Sequence, residues 1–101
     1  MPDQINALIV DDELHNRIVL EKMLQQHCPM VSAVYQADTV QKATVLVKQY
    51  QPGIVFLDIQ MQGETGFDLL QQLGAYSFEV IFITAHDNYA IKAFRFNAVD
   101  Y

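Results

Sequence analysis

Ala7-Leu8-Ile9-Val10-Asp11-Asp12 closes an apolar run with two acids, and Ile54-Val55-Phe56-Leu57-Asp58 repeats the pattern with one. Short, nearly continuous apolar runs bounded by polar residues read as strands buried on both faces. If the two runs are parallel strands of one sheet, three carboxylates converge at its carboxyl edge, where open α/β sheets place their ligands. Three such charges repel one another, so either one keeps its proton or a cation neutralises the group. An oxygen-only donor set selects a hard ion. Two carboxylates, a backbone carbonyl and room for water suit Mg²⁺ better than zinc.

Outward from these runs, Val31 to Tyr35 and Val80 to Thr84 read as two further strands. The Val31 run is the most mixed and is expected at a sheet edge. Amphipathic stretches alternate with the strands, which indicates βαβ units and a mainly parallel sheet. Leu14 to Gln26 reads as a helix with Val19, Leu20, Met23 and Leu24 on one face and Asp12 placed to cap it. Leu14 and Ile18 project from the other side, either as scattered surface apolars, the simpler reading, or as part of a contact. Thr39 is placed to cap a helix from Val40 to Tyr50, with Ala43, Leu46 and Val47 inward, and Gln51-Pro52-Gly53 stops it. Gln62 to Gly66 reads as a loop, Phe67 to Leu73 as a short helix, and Ala90 to Phe96 as the last helix, with Asn97 as its stop. Asp100-Tyr101 resembles the entry to another strand.

A length of 101 residues fits one domain, residues 1–101, and 51% apolar against 18% charged content argues against disorder. The net charge of -6 speaks against direct nucleic-acid binding, which calls for a basic patch. One cysteine, Cys28, excludes an internal disulfide and fits a reducing compartment. Neither a signal peptide nor a stretch of membrane-spanning length is visible, so the expectation is a soluble, cytoplasmic chain with no membrane contact. His15, His27 and His86 are dispersed without metal-ligand spacing. Walker, Gly-x-Gly-x-x-Gly and nucleophile-elbow motifs are missing from the sequence.

Singly, Asp11 and Asp12 read as helix caps and Asp58 as an ordinary strand-end acid. Together with Thr84 they fall where adjacent central strands would meet, which favours a functional site. Here the sequence resembles the receiver domain of bacterial two-component response regulators. The pieces are Ile9-Val10-Asp11-Asp12-Glu13, Phe56-Leu57-Asp58-Ile59-Gln60-Met61 with Gly66 following, Thr84-Ala85, and Tyr101. The stretch from Phe82 to Phe94 is similar to receivers that precede LytTR-type DNA-binding domains. The resemblance implies a flavodoxin-like, doubly wound parallel sheet of strand order 2-1-3-4, truncated before a fifth strand and helix. It implies that Asp58 accepts a phosphoryl group from a sensor histidine kinase. Asp12, Asp58 and the backbone carbonyl of Gln60 would ligate Mg²⁺ directly, and Asp11 largely through water. Thr84 would contact the phosphoryl group as a switch residue, with Tyr101 as the switch aromatic. Such a chain is not an enzyme acting on a separate substrate. Its catalysis is limited to promoting its own phosphorylation and a slow autodephosphorylation.

Two positions depart from the family pattern. Gln62 stands where many receivers have proline, and the family's fifth-strand lysine would fall about three residues beyond Tyr101. An uncovered fourth strand is sticky, so the chain is expected to belong to a longer protein or to self-associate as a homodimer. A DNA-binding output domain is expected in the parent. The alternative from another class is a non-phosphorylated, receiver-like interaction module with a vestigial divalent-metal site. An aspartyl phosphatase would want an acid two residues after Asp58, where Gln60 stands. A flavodoxin-like cofactor carrier would want a phosphate loop after the first strand, where acids would repel it.

Overall fold

A computed structural model describes residues 4–61 and 63–83. Expectations placed on Gln62, Thr84, the helix from Ala90 to Phe96 and Tyr101 lie outside the described residues. In chain order the elements are β1 (Ile5–Val10), α1 (Leu14–His27), β2 (Val31–Ala37), α2 (Val40–Tyr50), β3 (Ile54–Asp58), β4 (Gln60–Met61), β5 (Glu64–Thr65), α3 (Gly66–Leu73) and β6 (Glu79–Ile83).

Four strands form one parallel sheet in the order β2-β1-β3-β6. This is the expected 2-1-3-4 arrangement of a flavodoxin-like fold, with β6 as the fourth long strand. The numbering shifts because β4 and β5 form a separate antiparallel ribbon, pairing Gln60 with Thr65 and Met61 with Glu64. Part of the expected loop before α3 is therefore hydrogen-bonded backbone. The mixed strand β2 lies at the edge, and central β1 and β3 are the most buried.

Alternation along the strands sorts the core into two layers. Leu8, Val10, Val55, Leu57, Val80 and Phe82 point to the face covered by α2 and α3, where Val40, Ala43, Phe67, Leu69 and Leu70 meet them. Ala7, Ile9 and Phe56 point to the other face and pack with Leu24 of α1. Removing one such side chain, as in Leu57→Ala, leaves a cavity that typically costs about 2–5 kcal/mol.

Local chemistry sets most helix ends. Thr39 Oγ1 accepts the Lys42 N–H at 3.1 Å, so α2 starts where its cap predicts. At the other end Gln51 adopts a left-handed conformation, φ 48°, and Pro52 cannot extend the helix. A reciprocal box opens α3: Thr65 accepts from the Asp68 backbone, and Asp68 accepts from the Thr65 backbone at 2.8 Å.

Helix α1 departs from expectation in two ways. Asp12 does not cap it; the N-cap position is Glu13, without a side-chain capping bond. Nor do all four of the grouped apolars face inward. Leu24 is buried and Leu20 packs beside it, but Val19 and Met23 are 42% and 53% exposed. The inward stripe is Arg17, Leu20, Glu21 and Leu24, spaced i, i+3, i+4 and i+7. Polar contacts of Arg17 and Glu21 with Gln36 on β2 set this rotation. Leu14 and Ile18 are exposed.

Candidate functional site

The register that aligns Val10 with Leu57 brings the carboxyl ends of β1 and β3 side by side. Asp11 and Asp12 follow β1 directly, and Asp58 is the last residue of β3. One carboxylate oxygen from each of the three lies within 4.8 Å of the others. Asp11 is 3% exposed, the one buried charged side chain among the described residues, while Asp12 and Asp58 are half-buried.

Backbone contacts hold this edge in place. The Asp11 N–H donates to the Ala37 carbonyl at 3.1 Å, tying the first acid to β2. Asp11 Oδ1 accepts the Glu13 N–H at 2.9 Å, which leads the chain into α1. The Arg17 guanidinium donates to the Asp11 carbonyl at 2.7 Å. On the other strand, Asp58 Oδ1 accepts the Gln60 N–H at 3.2 Å, and the Gly66 N–H donates to the Ile59 carbonyl at 2.8 Å. Glu64 accepts the Val40 N–H at 3.3 Å, fastening the loop beyond Asp58 to the start of α2.

Burial raises the Asp58 carboxyl most, and the negative charge of Asp11 adds to it. The Gln60 N–H pulls the other way, while the charge of Asp12 and a hydrogen bond with the Asp11 carboxyl raise it further. The net result is a carboxyl pushed up to about 7. The crowding that raises it is of the kind a proton or a cation relieves. The donor set is all oxygen and strongly negative, which fits a hard divalent ion and gives zinc or copper no soft ligand.

The structure thus brings together the three acids that the sequence singles out and places Gln60 two residues beyond Asp58, with its side chain exposed. Thr84 and Tyr101 lie outside the described residues. Two contributors escape sequence reasoning. Arg17 and Gln36 meet across a separation of 19 residues, and Glu64 reaches Val40 across 24, so no local pattern signals either contact. The Thr65-x-x-Asp68 box is legible as a capping pattern.

Comparison with known proteins identifies the family and agrees with the fold. The response regulator receiver domain family matches residues 7–101. The sensory transduction protein LytT of Enterococcus faecalis is 41% identical over 99 residues, covering 96% of this chain and 40% of that protein. LytR of Streptococcus agalactiae is 42% identical over 101 residues, covering 96% of this chain and 41% of that protein. The chain thus spans about two fifths of the length of these relatives. Among solved structures, the response regulator domain of Thermotoga maritima CheB superposes with a TM-score of 0.77 at 25% identity, covering 96% of this chain and 75% of that one. With a family match running from β1 to the last residue, the chain belongs to the response regulator receiver domain family, whose members are the phosphoacceptors of two-component signalling.

Proposed function

We propose that Asp58 is the phosphoacceptor of this receiver and that Asp11, Asp12, Asp58 and the backbone carbonyl of Gln60 hold Mg²⁺. The observation that carries the reading is the convergence of three carboxylate oxygens within 4.8 Å at the carboxyl edge of β1 and β3. In the transfer, an Asp58 oxygen bonds to the phosphorus of a phosphohistidine on a sensor kinase as the P–N bond breaks. The electron pair leaves with the imidazole, which takes up a proton. Such a reaction asks for positioning and charge stabilisation more than for covalent chemistry by the protein. Mg²⁺, when bound, supplies positive charge to offset the acids and the incoming phosphoryl oxygens.

The chain's own part is to present Asp58 from a rigid strand end and to keep Asp11 buried beside it. Asp58 acts as the carboxylate, so its proton must leave first. By family position, the Thr84 hydroxyl would contact the phosphoryl group and Tyr101 would be the aromatic that moves with it. A dianion formed at Asp58 is the local charge change that would bias this pair. The chain's own catalysis is confined to promoting this transfer and to slow loss of the phosphoryl group.

We further propose that this segment belongs to a cytoplasmic LytTR-type regulator with a DNA-binding output domain, and that the receiver homodimerises. The net charge of -6 argues against direct nucleic-acid contact by this segment. Among the described residues no helix is long and apolar enough to cross a membrane. The test is exposure to acetyl phosphate with Mg²⁺, followed by intact mass. The reading expects the gain of one phosphoryl group, lost in Asp58→Asn. Mg²⁺ binding without any gain would instead favour a non-phosphorylated interaction module.

A further inference from the structure

Resting on that functional reading, we propose that Arg17 is a positioning residue for the acid pair, acting through the peptide unit that joins Asp11 to Asp12. The Asp11 carbonyl belongs to this peptide unit, and Arg17 Nη1 donates to it at 2.7 Å. Its orientation helps set where the Asp12 side chain departs. A charged donor on a neutral carbonyl makes a strong bond, so the plane between the two acids is fixed before any ion arrives.

The guanidinium is itself held. Its Nε donates to Gln36 Oε1 at 3.0 Å, and Gln36 Nε2 donates in turn to Glu21, one turn beyond Arg17 on α1. Two residues of one helix therefore grip one side chain of the neighbouring strand, leaving the second arm of Arg17 aimed at the end of β1. A planar fork can serve both acceptors at once, which a lysine ammonium on its flexible stem cannot do with the same preorganisation. The other contacts at Asp11 complete the clamp: its N–H is on Ala37 and its Oδ1 on the Glu13 N–H. Of these three, the Arg17 bond is the one made by a side chain from outside the segment, and so the one that substitution can remove cleanly.

Outer partners that orient metal ligands typically change metal affinity by about 10–100-fold when removed. The test is Mg²⁺ titration of the full chain, followed by amide NMR shifts well below the unfolding midpoint. Arg17→Met keeps the aliphatic stem and removes the donors; it is expected to weaken Mg²⁺ about 10-fold. Arg17→Lys is expected to recover affinity to within about threefold of wild type, since one donor still reaches the carbonyl. Leu24→Ala removes α1 packing without touching the network, so it lowers the thermal midpoint and leaves Mg²⁺ affinity unchanged. Wild-type affinity in folded Arg17→Met overturns the proposal. Should that variant not fold, Gln36→Ala is read instead, and unchanged affinity there overturns it. Failure of the wild-type chain to bind Mg²⁺ counts against the metal site itself, which separates the two failures.

Discussion

Gly66 lies directly against the backbone of Asp58: a Cβ at residue 66 would sit 2.6 Å from the Asp58 carbonyl oxygen and 2.8 Å from Leu57 Cγ. The first residue of α3 can therefore pack against the end of β3 only without a side chain. Its N–H closes the turn on the Ile59 carbonyl. Packing of the loop and placement of Asp58 are one constraint.

Gly66→Ala should accordingly cost about 1–3 kcal/mol, the usual penalty for overpacking a filled core. The contacted atoms are backbone and a buried leucine, neither of which can move aside cheaply. Urea unfolding would measure the loss. Because Asp58 must shift with its carbonyl, phosphorylation by acetyl phosphate should slow in the same variant.

The raised Asp58 carboxyl predicts an inverted acid response. Its folded value, about 7, lies above the ordinary carboxyl value of 3.8, so between those limits the native state holds more protons than the unfolded chain. Stability without divalent ions then falls as pH rises through that window, the protonated form being the favoured one below it. Thermal midpoints measured from pH 4 to pH 8 should show the decline, and Asp58→Asn should flatten it.

Mg²⁺ bound at the acid cluster would compete with that proton. One proton released per ion gives an affinity that rises about tenfold per pH unit below the Asp58 value and levels off above it. Calorimetric titrations at several pH values would trace the slope. A flat profile across neutrality would contradict a protonated Asp58 in the ion-free chain.

Asp11 contributes the largest charge effect on Asp58. Asp11→Asn should lower the Asp58 value towards the ordinary carboxyl range while leaving an acceptor for the Glu13 N–H. Carboxyl ¹³C shifts followed through a pH titration would register the change. Mg²⁺ affinity should drop at the same time, since one negative charge of the cluster is gone.

Thr39, which caps α2 between Ala37 and Val40, offers a control outside the acid cluster. Its hydroxyl accepts the Lys42 N–H at 3.1 Å, and Thr39→Ala should remove about 1 kcal/mol of stability. Mg²⁺ affinity should stay at the wild-type level. Denaturant midpoints and ion titration on the same sample give both readings.

What was legible in the sequence is what local physics decides. The apolar runs ending in Asp11-Asp12 and Asp58, the Thr39 cap and the Gln51-Pro52-Gly53 stop each carry their own signal, and parallel pairing of the first two runs places the acids together. The rotation of α1 carries none. It follows from Arg17 and Glu21 gripping Gln36 across the chain, which turns Val19 and Met23 towards water despite their apolar character. Asp12 illustrates a second limit: an acid just before a helix usually caps it, but here it joins the cluster and the N-cap falls to Glu13. The short ribbon at Gln60–Met61 and Glu64–Thr65 is likewise invisible to periodicity, being too brief for any alternation to register.

The most direct measurement is to phosphorylate the chain with acetyl phosphate and Mg²⁺, reduce it with borohydride, and locate the resulting homoserine by peptide mass spectrometry. The account predicts conversion at position 58 and none at positions 11 or 12. Conversion at either of those two acids, with position 58 unmodified, would contradict it.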